Sequence, residues 1–201
     1  IPGTQIVALC DYEQSRAEGC QKYLQKASLP KAAVYSGEKG YEELCKRDDI
    51  DLVYIATDWL HHFPVAMFAM ENGKHVAIEV PSAMNLQECW DLINMSEKTR
   101  KHCMILENCC YDWFEMNPPN MAQQGVFGEV IRGQGAYIHE LSPFWDHYWK
   151  NGENDKLGWR LDYNKKHRGD VYATHGLGPV AQAFDIHRGD RMVTLVAMDT
   201  K

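Results

Sequence analysis

The sequence predicts an α/β chain: a truncated, doubly wound parallel sheet in its first half, then part of an α+β domain with an open, mainly antiparallel sheet. Three observations predict it. Short apolar runs alternate with longer amphipathic stretches up to about residue 110, as parallel strands joined by covering helices require. After Asn108 that rhythm gives way to one long alternating run, so domains over 1–110 and 111–201 are expected. Finally, 45% hydrophobic and 24% charged residues in 201 suit a chain with a sizeable core, and no apolar run reaches the length of a membrane span.

Taken in order, residues 6–10 read as the first strand, and a helix from near Ser15 lines Ala17, Cys20, Leu24 and Ala27 along one face. A short strand at 33–35, a short helix at 41–45 and a buried strand at 52–56 follow. The helix at 61–71 turns Val65, Ala66 and Ala69 inward and stops at Asn72 and Gly73, a C-terminal signal. Next comes a strand at 75–78. Asn85 with Glu88 three positions on resembles a capping box, opening a helix expected to be buried through Leu86, Cys89, Trp90 and Ile93; a strand at 103–106 completes the first half. The second half reads as a helix at 112–124, a turn at 125–128, a long strand at 129–139 and an aromatic loop at 143–159. A helix at 171–186, packing Val180 and Phe184 inward, and a strand at 192–198 end it.

A formal charge of −7 with no basic stripe removes the electrostatic footing for nucleic acid or an anionic membrane, leaving a small molecule or glycan as the expected partner. The seven cysteines form no C-x-x-C pair and read as reduced core thiols; the nine histidines form no ligand cluster, and no metal is expected. The chain opens on an extended apolar run without an initiator methionine and contains no G-x-G-x-x-G, so it is expected to be an internal fragment. Such a fragment alone should bind a dinucleotide poorly. Its compartment is left open between bacterial cytoplasm and periplasm.

Several residues stand where chemistry is expected. Asp11 follows the first strand, where a carboxylate accepts hydrogen bonds from ribose hydroxyls, although a helix cap or turn explains it too. Thr57, Trp59 and His62 follow the third strand and Glu79 and Val80 the fourth, at the carboxyl edge where open α/β sheets take ligands; ordinary loop polarity is the alternative. Glu107 and Asn108 follow the fifth. In RLDYNKKHRGDVYATHGLGP, Arg160 to Pro179, Tyr172 and His175 lie three apart, which on a helical turn puts a phenol and an imidazole on one face. Gly176 and Gly178 permit close backbone approach there. The loop SPFWDHYW, 142–149, suits either sugar stacking or packing.

The strand ending in Asp11, the T-x-x-x-H-H run from Thr57 to His62, GKHVAIEVP ending at Pro81 and the boundary at Leu106 to Asn108 resemble the glucose-fructose oxidoreductase and inositol dehydrogenase superfamily over residues 1 to about 125. MILENCCYD, GVFGE, GAYIH and GDVYATHGLGP narrow the resemblance to the NAD-dependent glycoside hydrolases of family 109, typified by bacterial α-N-acetylgalactosaminidase. The resemblance implies a Rossmann-type first domain with NAD as cofactor, held by Asp11, Thr57, Trp59, His62, Glu79, Val80 and Asn108. It also implies hydrolysis of terminal N-acetylgalactosaminides through transient oxidation at C3, loss of the C2 proton, elimination at C1, water addition and reduction. Tyr137 matches the C2 base and His175 the group that handles the proton at the C3 oxygen, with Glu107, Arg160 and Tyr172 on the sugar. Each has a plainer reading: a strand aromatic for Tyr137, a helix-start histidine, a strand-end cap for Glu107, a surface cation for Arg160 and a packing tyrosine at 172. The wider superfamily has Glu-Lys-Pro where this chain has Glu79-Val80-Pro81, so the usual lysine acid is missing. A sugar or polyol oxidoreductase, or a non-catalytic sugar-binding relative, is the alternative. Association of copies through the second-domain sheet is a further expectation.

Overall fold

Each short apolar run in the first half pairs in parallel with a neighbour, because the amphipathic stretch between runs carries the chain back to the same edge of the sheet. The structure is a computed structural model describing residues 3–140, 143 and 158–198. It divides into two compact units, Ile1–Leu106 and Glu107–Lys201, the division falling before the expected change at 110.

In the first unit, β1 (Ala8–Asp11) pairs with β2 (Ala33–Ser36) in the register Ala8 to Ala33 through Asp11 to Ser36. A second sheet has the order β3 (Leu52–Ile55), β4 (His75–Ile78), β5 (Cys103–Ile105), also parallel. The crossovers are α1 (Gln14–Lys26), α2 (Gly40–Cys45), α3 (Trp59–Glu71) and α4 (Leu86–Thr99). The core joins Val53, Ile55, Val76 and Ile78 of the sheet to Val65, Ala66, Ala69 and Met70 of α3 and Leu92 and Met95 of α4. On the opposite face of β3, Leu52 and Tyr54 are exposed.

Several expectations shift. The first strand starts at Ala8 rather than residue 6 and carries Asp11 as its last residue. The third helix starts at Trp59, not 61, because Asp58 caps it: its carboxylate accepts from the Leu60 N–H at 3.1 Å. Its end is as expected, at Asn72, with Gly73 at φ 76°. Asn85 caps α4 by accepting from the Glu88 N–H at 3.0 Å, while the Glu88 carboxylate accepts from the Met84 N–H at 2.8 Å. The buried face of α4 is not the expected one. Leu86, Cys89, Trp90 and Ile93 are exposed, and Leu92 and Met95 are buried. Two stripes of helical period run along this segment, and packing against α3 selects the one whose polar members are satisfied locally: Ser96 donates to the Lys101 carbonyl and Thr99 to the Met95 carbonyl. Cys20 and Cys89 are likewise exposed rather than core thiols, whereas Cys45 and Cys110 are buried; all seven are free.

The second unit begins with a 3-10 turn, Asn108–Cys110, followed by α5 (Trp113–Gln123), α6 (Trp159–Lys166) and α7 (Ala173–Ala183). The expected strands at 129–139 and 192–198 are not paired among the described residues. A strand is held by a neighbour's ladder, and here no described segment supplies one. Two glycines in 129–139 nevertheless make close approaches to the second unit's last helix. A β-carbon on Gly133 would come within 2.8 Å of the Phe184 ring, and one on Gly135 within 2.1 Å of the Gly176 carbonyl oxygen. Glycine at these alternate positions lets the extended segment lie directly on α7. Of the aromatic loop at 142–149, all but Pro143 lies outside the described residues. No helix among the described residues is long and apolar enough to cross a membrane.

Candidate active site

In the first unit the polar positions gather where the parallel strands end. Asp11 closes β1, and its Oδ1 accepts from the Glu13 N–H at 2.9 Å. That bond fixes the turn into α1 and holds the carboxylate at the strand end. Thr57, just past β3, is exposed and donates to the Asp58 carbonyl at 3.2 Å. Glu79, just past β4, accepts a short hydrogen bond from the Tyr54 hydroxyl. This bond, with burial second, pushes the Tyr54 phenol up to about 12. Three other expected cofactor residues are buried rather than exposed. Trp59 and Val80 are buried, and the His62 ring, 1% exposed, is held between the Pro81 carbonyl (2.7 Å from Nδ1) and the Thr57 carbonyl (3.1 Å from Nε2). His62 thereby ties the loop after β3 to the loop after β4.

The second unit brings four of the expected residues together. Glu107, 6% exposed, caps the 3-10 turn, its Oε1 accepting from the Cys109 N–H at 3.1 Å. The same Oε1 accepts from His175 Nδ1 at 2.5 Å, joining residues 68 positions apart. Because a carboxylate only accepts, Nδ1 carries the proton and Nε2 is left as the imidazole nitrogen for a ligand. Tyr172 stands at the N-terminal boundary of α7 and His175 in its first turn, so the predicted spacing stacks the two rings, with centroids 5.2 Å apart and planes at 11°. Tyr137, delivered by the extended segment, lies 4.9 Å from His175 and 5.3 Å from Tyr172 between ring centroids. Glycines make this approach possible. A β-carbon on Gly178 would meet Cys110 Sγ at 2.6 Å, and one on Gly176 would meet the Ala136 nitrogen at 2.9 Å.

The remaining expected residues sit as follows. Arg160 opens α6 half-buried, its guanidinium carbon 4.2 Å from the Trp159 ring centroid. Asn108 is the exposed first residue of the 3-10 turn. The sequence marks Cys109 only as a core thiol; its sulfur lies within 4.8 Å of ligand atoms of both Glu107 and His175. An apolar cavity of about 590 Å³, lined by Phe114, Pro119, Val130, Val180 and Phe184 among others, contains none of these catalytic candidates.

One polar atom in the cluster is unanswered. Glu107 Oε2 is buried and has no hydrogen-bond partner among the described residues. Leaving such an atom bare costs about 1–3 kcal/mol, more when charged, so the geometry suits a ligand that brings a donor.

Comparison with known proteins agrees with both halves. Residues 1–107 match the family described as oxidoreductase family, NAD-binding Rossmann fold. The chain belongs to this family. Residues 111–201 match the C-terminal domain of glycosyl hydrolase 109. Glycosyl hydrolase family 109 protein 5 of Phocaeicola vulgatus is 88% identical over the whole chain, which covers 39% of that relative. Glycosyl hydrolase family 109 protein 1 of Bacteroides thetaiotaomicron is 67% identical, again over all of this chain and 42% of the relative. The chain thus spans about two fifths of the length of these curated relatives. Among solved structures, myo-inositol 2-dehydrogenase from Lactobacillus plantarum matches 73% of this chain and 41% of its own, with TM-score 0.61 and 20% identity, a likeness of fold. A putative oxidoreductase from Klebsiella pneumoniae matches 65% of this chain and 35% of its own at TM-score 0.52 and 25% identity.

NAD is the cofactor of this Rossmann family, and the first unit is compatible with it: Asp11 presents a carboxylate at a strand end, a position suited to ribose hydroxyls, and Thr57 and Glu79 follow strands at the carboxyl edge of their sheet.

Proposed function

We propose that the full-length protein is an NAD-dependent glycosidase that hydrolyses terminal N-acetylgalactosaminides without net oxidation. The observation that carries this reading is the gathering of Tyr137, Tyr172 and His175 with the buried Glu107 to His175 hydrogen bond. The family 109 match over 111–201 and the names of the relatives support it.

Bound NAD supplies a hydride acceptor and donor for the sugar C3. The residues of this chain manage protons and position. Val80 is an apolar side chain at the end of β4 and offers no proton-transfer group there. His175 fills that role. With Nδ1–H held by Glu107, Nε2 receives the proton of the C3 hydroxyl as a ketone forms and returns it at the end. The ketone acidifies the C2 hydrogen, and Tyr137 removes that proton while the C1–O bond breaks. Water then adds at C1, its hydroxide bonding to carbon and its proton ending on the departed aglycone oxygen, and Tyr137 returns a proton to C2. Glu107 Oε2 accepts from a sugar hydroxyl, which removes its desolvation cost, and Arg160 and Tyr172 hold further sugar oxygens. In the cofactor crevice of the first unit Asp11, Thr57 and Glu79 supply polar contacts, with Trp59, His62 and Val80 shaping the walls.

The full-length enzyme with a chromogenic N-acetylgalactosaminide tests the reading. Tyr137→Phe should lower kcat by about 10²–10⁴-fold, the range of a lost general base. A variant as active as the parent would remove Tyr137 from the chemistry. Sustained growth of NADH absorbance from free sugar, with no glycoside cleavage, would make the protein an oxidoreductase instead.

A further inference from the structure

We propose that Glu107, Cys109 and His175 form an inhibitory binding site for a thiophilic divalent cation, zinc being the best match. One carboxylate oxygen, one thiol sulfur and one imidazole nitrogen lie mutually within 4.8 Å. That donor set is what zinc takes in a three-ligand site with an open fourth position. Metal–ligand bonds of about 2.0–2.3 Å place tetrahedral donors roughly 3.5 Å apart, so closure needs about an ångström of side-chain movement. The elements already hold the donors close: Glu107 caps the 3-10 turn that contains Cys109, and His175 is tied to Glu107 through Oε1.

A second observation points to a ligand rather than to a chance cluster. The Glu107 side chain is 7% exposed and Oε2 has no partner among the described residues, so a second, buried oxygen of the same carboxylate is left for a cation or a donor. Burial strengthens its attraction for a cation. Cys109 is only half-buried, which leaves a way in from its side. Zinc takes cysteine as the thiolate, so binding expels the thiol proton to solvent. It also moves the imidazole proton from Nδ1, which becomes the ligand, to Nε2, while Glu107 binds as the carboxylate.

The inhibitory consequence rests on the function proposed above: a metallated ring with its proton on Nε2 no longer accepts the C3 hydroxyl proton, and Glu107 no longer meets the sugar. Cation and substrate then compete for one pair of side chains.

The test uses the full-length protein, reduced and freed of metal, with cobalt(II) alone as the probe. A near-ultraviolet thiolate-to-cobalt charge-transfer band that zinc(II) displaces, that is lost in Cys109→Ser and kept in Cys110→Ser, is the expected result. Thermal melting of each variant shows that it is folded. Hydrolysis should fall on zinc addition in the parent and not in Cys109→Ser. No band in the parent, or a band unchanged in Cys109→Ser, overturns the site whatever the activity. A Cys109-dependent band in a protein that hydrolyses no glycoside would uphold the site and sink the glycosidase reading.

Discussion

The bond between Glu107 and His175 assigns the imidazole its tautomer, and the role proposed for His175 at the C3 oxygen requires that tautomer. Glu107→Gln replaces an acceptor-only group by one that can present N–H to the ring, so the full-length enzyme should lose about 10²-fold or more in kcat, as in other acid–histidine pairs. A steady-state comparison reads this; unchanged kcat would make Glu107 a packing residue. Thiol reactivity makes a second residue-scale prediction. Burial raises the Cys45 thiol to about 11, while Cys20 and Cys89 are exposed. At mildly alkaline pH, mass-mapped alkylation should label Cys20 and Cys89 and spare Cys45 until the protein is unfolded. The spacing of Tyr172 and His175 was legible in the sequence because it is a local helical relation. The pairing of His175 with Glu107 across 68 positions was not, since nothing local encodes a tertiary contact. Cys109 gives no signal in the sequence for the same reason: its chemistry comes from two neighbours, one of which is distant in the chain.

At the scale of elements, glycines decide whether the extended segment can reach α7. Gly135→Ala drives a β-carbon to 2.1 Å from the Gly176 carbonyl oxygen, backbone that cannot swing aside. The substitution should destabilise by about 1–3 kcal/mol and, by displacing Tyr137, reduce activity as well. Gly19→Ala, inside α1 with nothing within 4 Å of the added carbon, should instead stabilise by about 0.5–1 kcal/mol. Denaturant melts of the two full-length variants should therefore move in opposite directions. The strands and helices of the first unit were readable almost in place, because parallel strands buried by helices leave short apolar runs between capped amphipathic ones. Two elements were not. In α4 two stripes of the same period compete, and only contact with α3 selects Leu92 and Met95 over Leu86 and Trp90. The runs at 129–139 and 192–198 have strand patterning without a paired neighbour among the described residues, and pattern alone does not make a ladder.

For the molecule as a whole, the two units differ in what they carry: a Rossmann unit matched to NAD, and a second unit with the phenols, the imidazole and the buried carboxylate. A net oxidoreductase and a redox-neutral glycosidase share the first unit and differ in what the second does at C2. The family resemblance was legible because its motifs are long and ordered along both halves, whereas substrate choice depends on how side chains converge in space, which no local motif encodes. The most direct measurement is hydrolysis by the full-length enzyme in deuterated water, with the released N-acetylgalactosamine followed by proton NMR. Deuterium at C2, absent from sugar incubated with Tyr137→Phe, is the predicted result; a C2 position that keeps its original hydrogen through turnover would contradict the account.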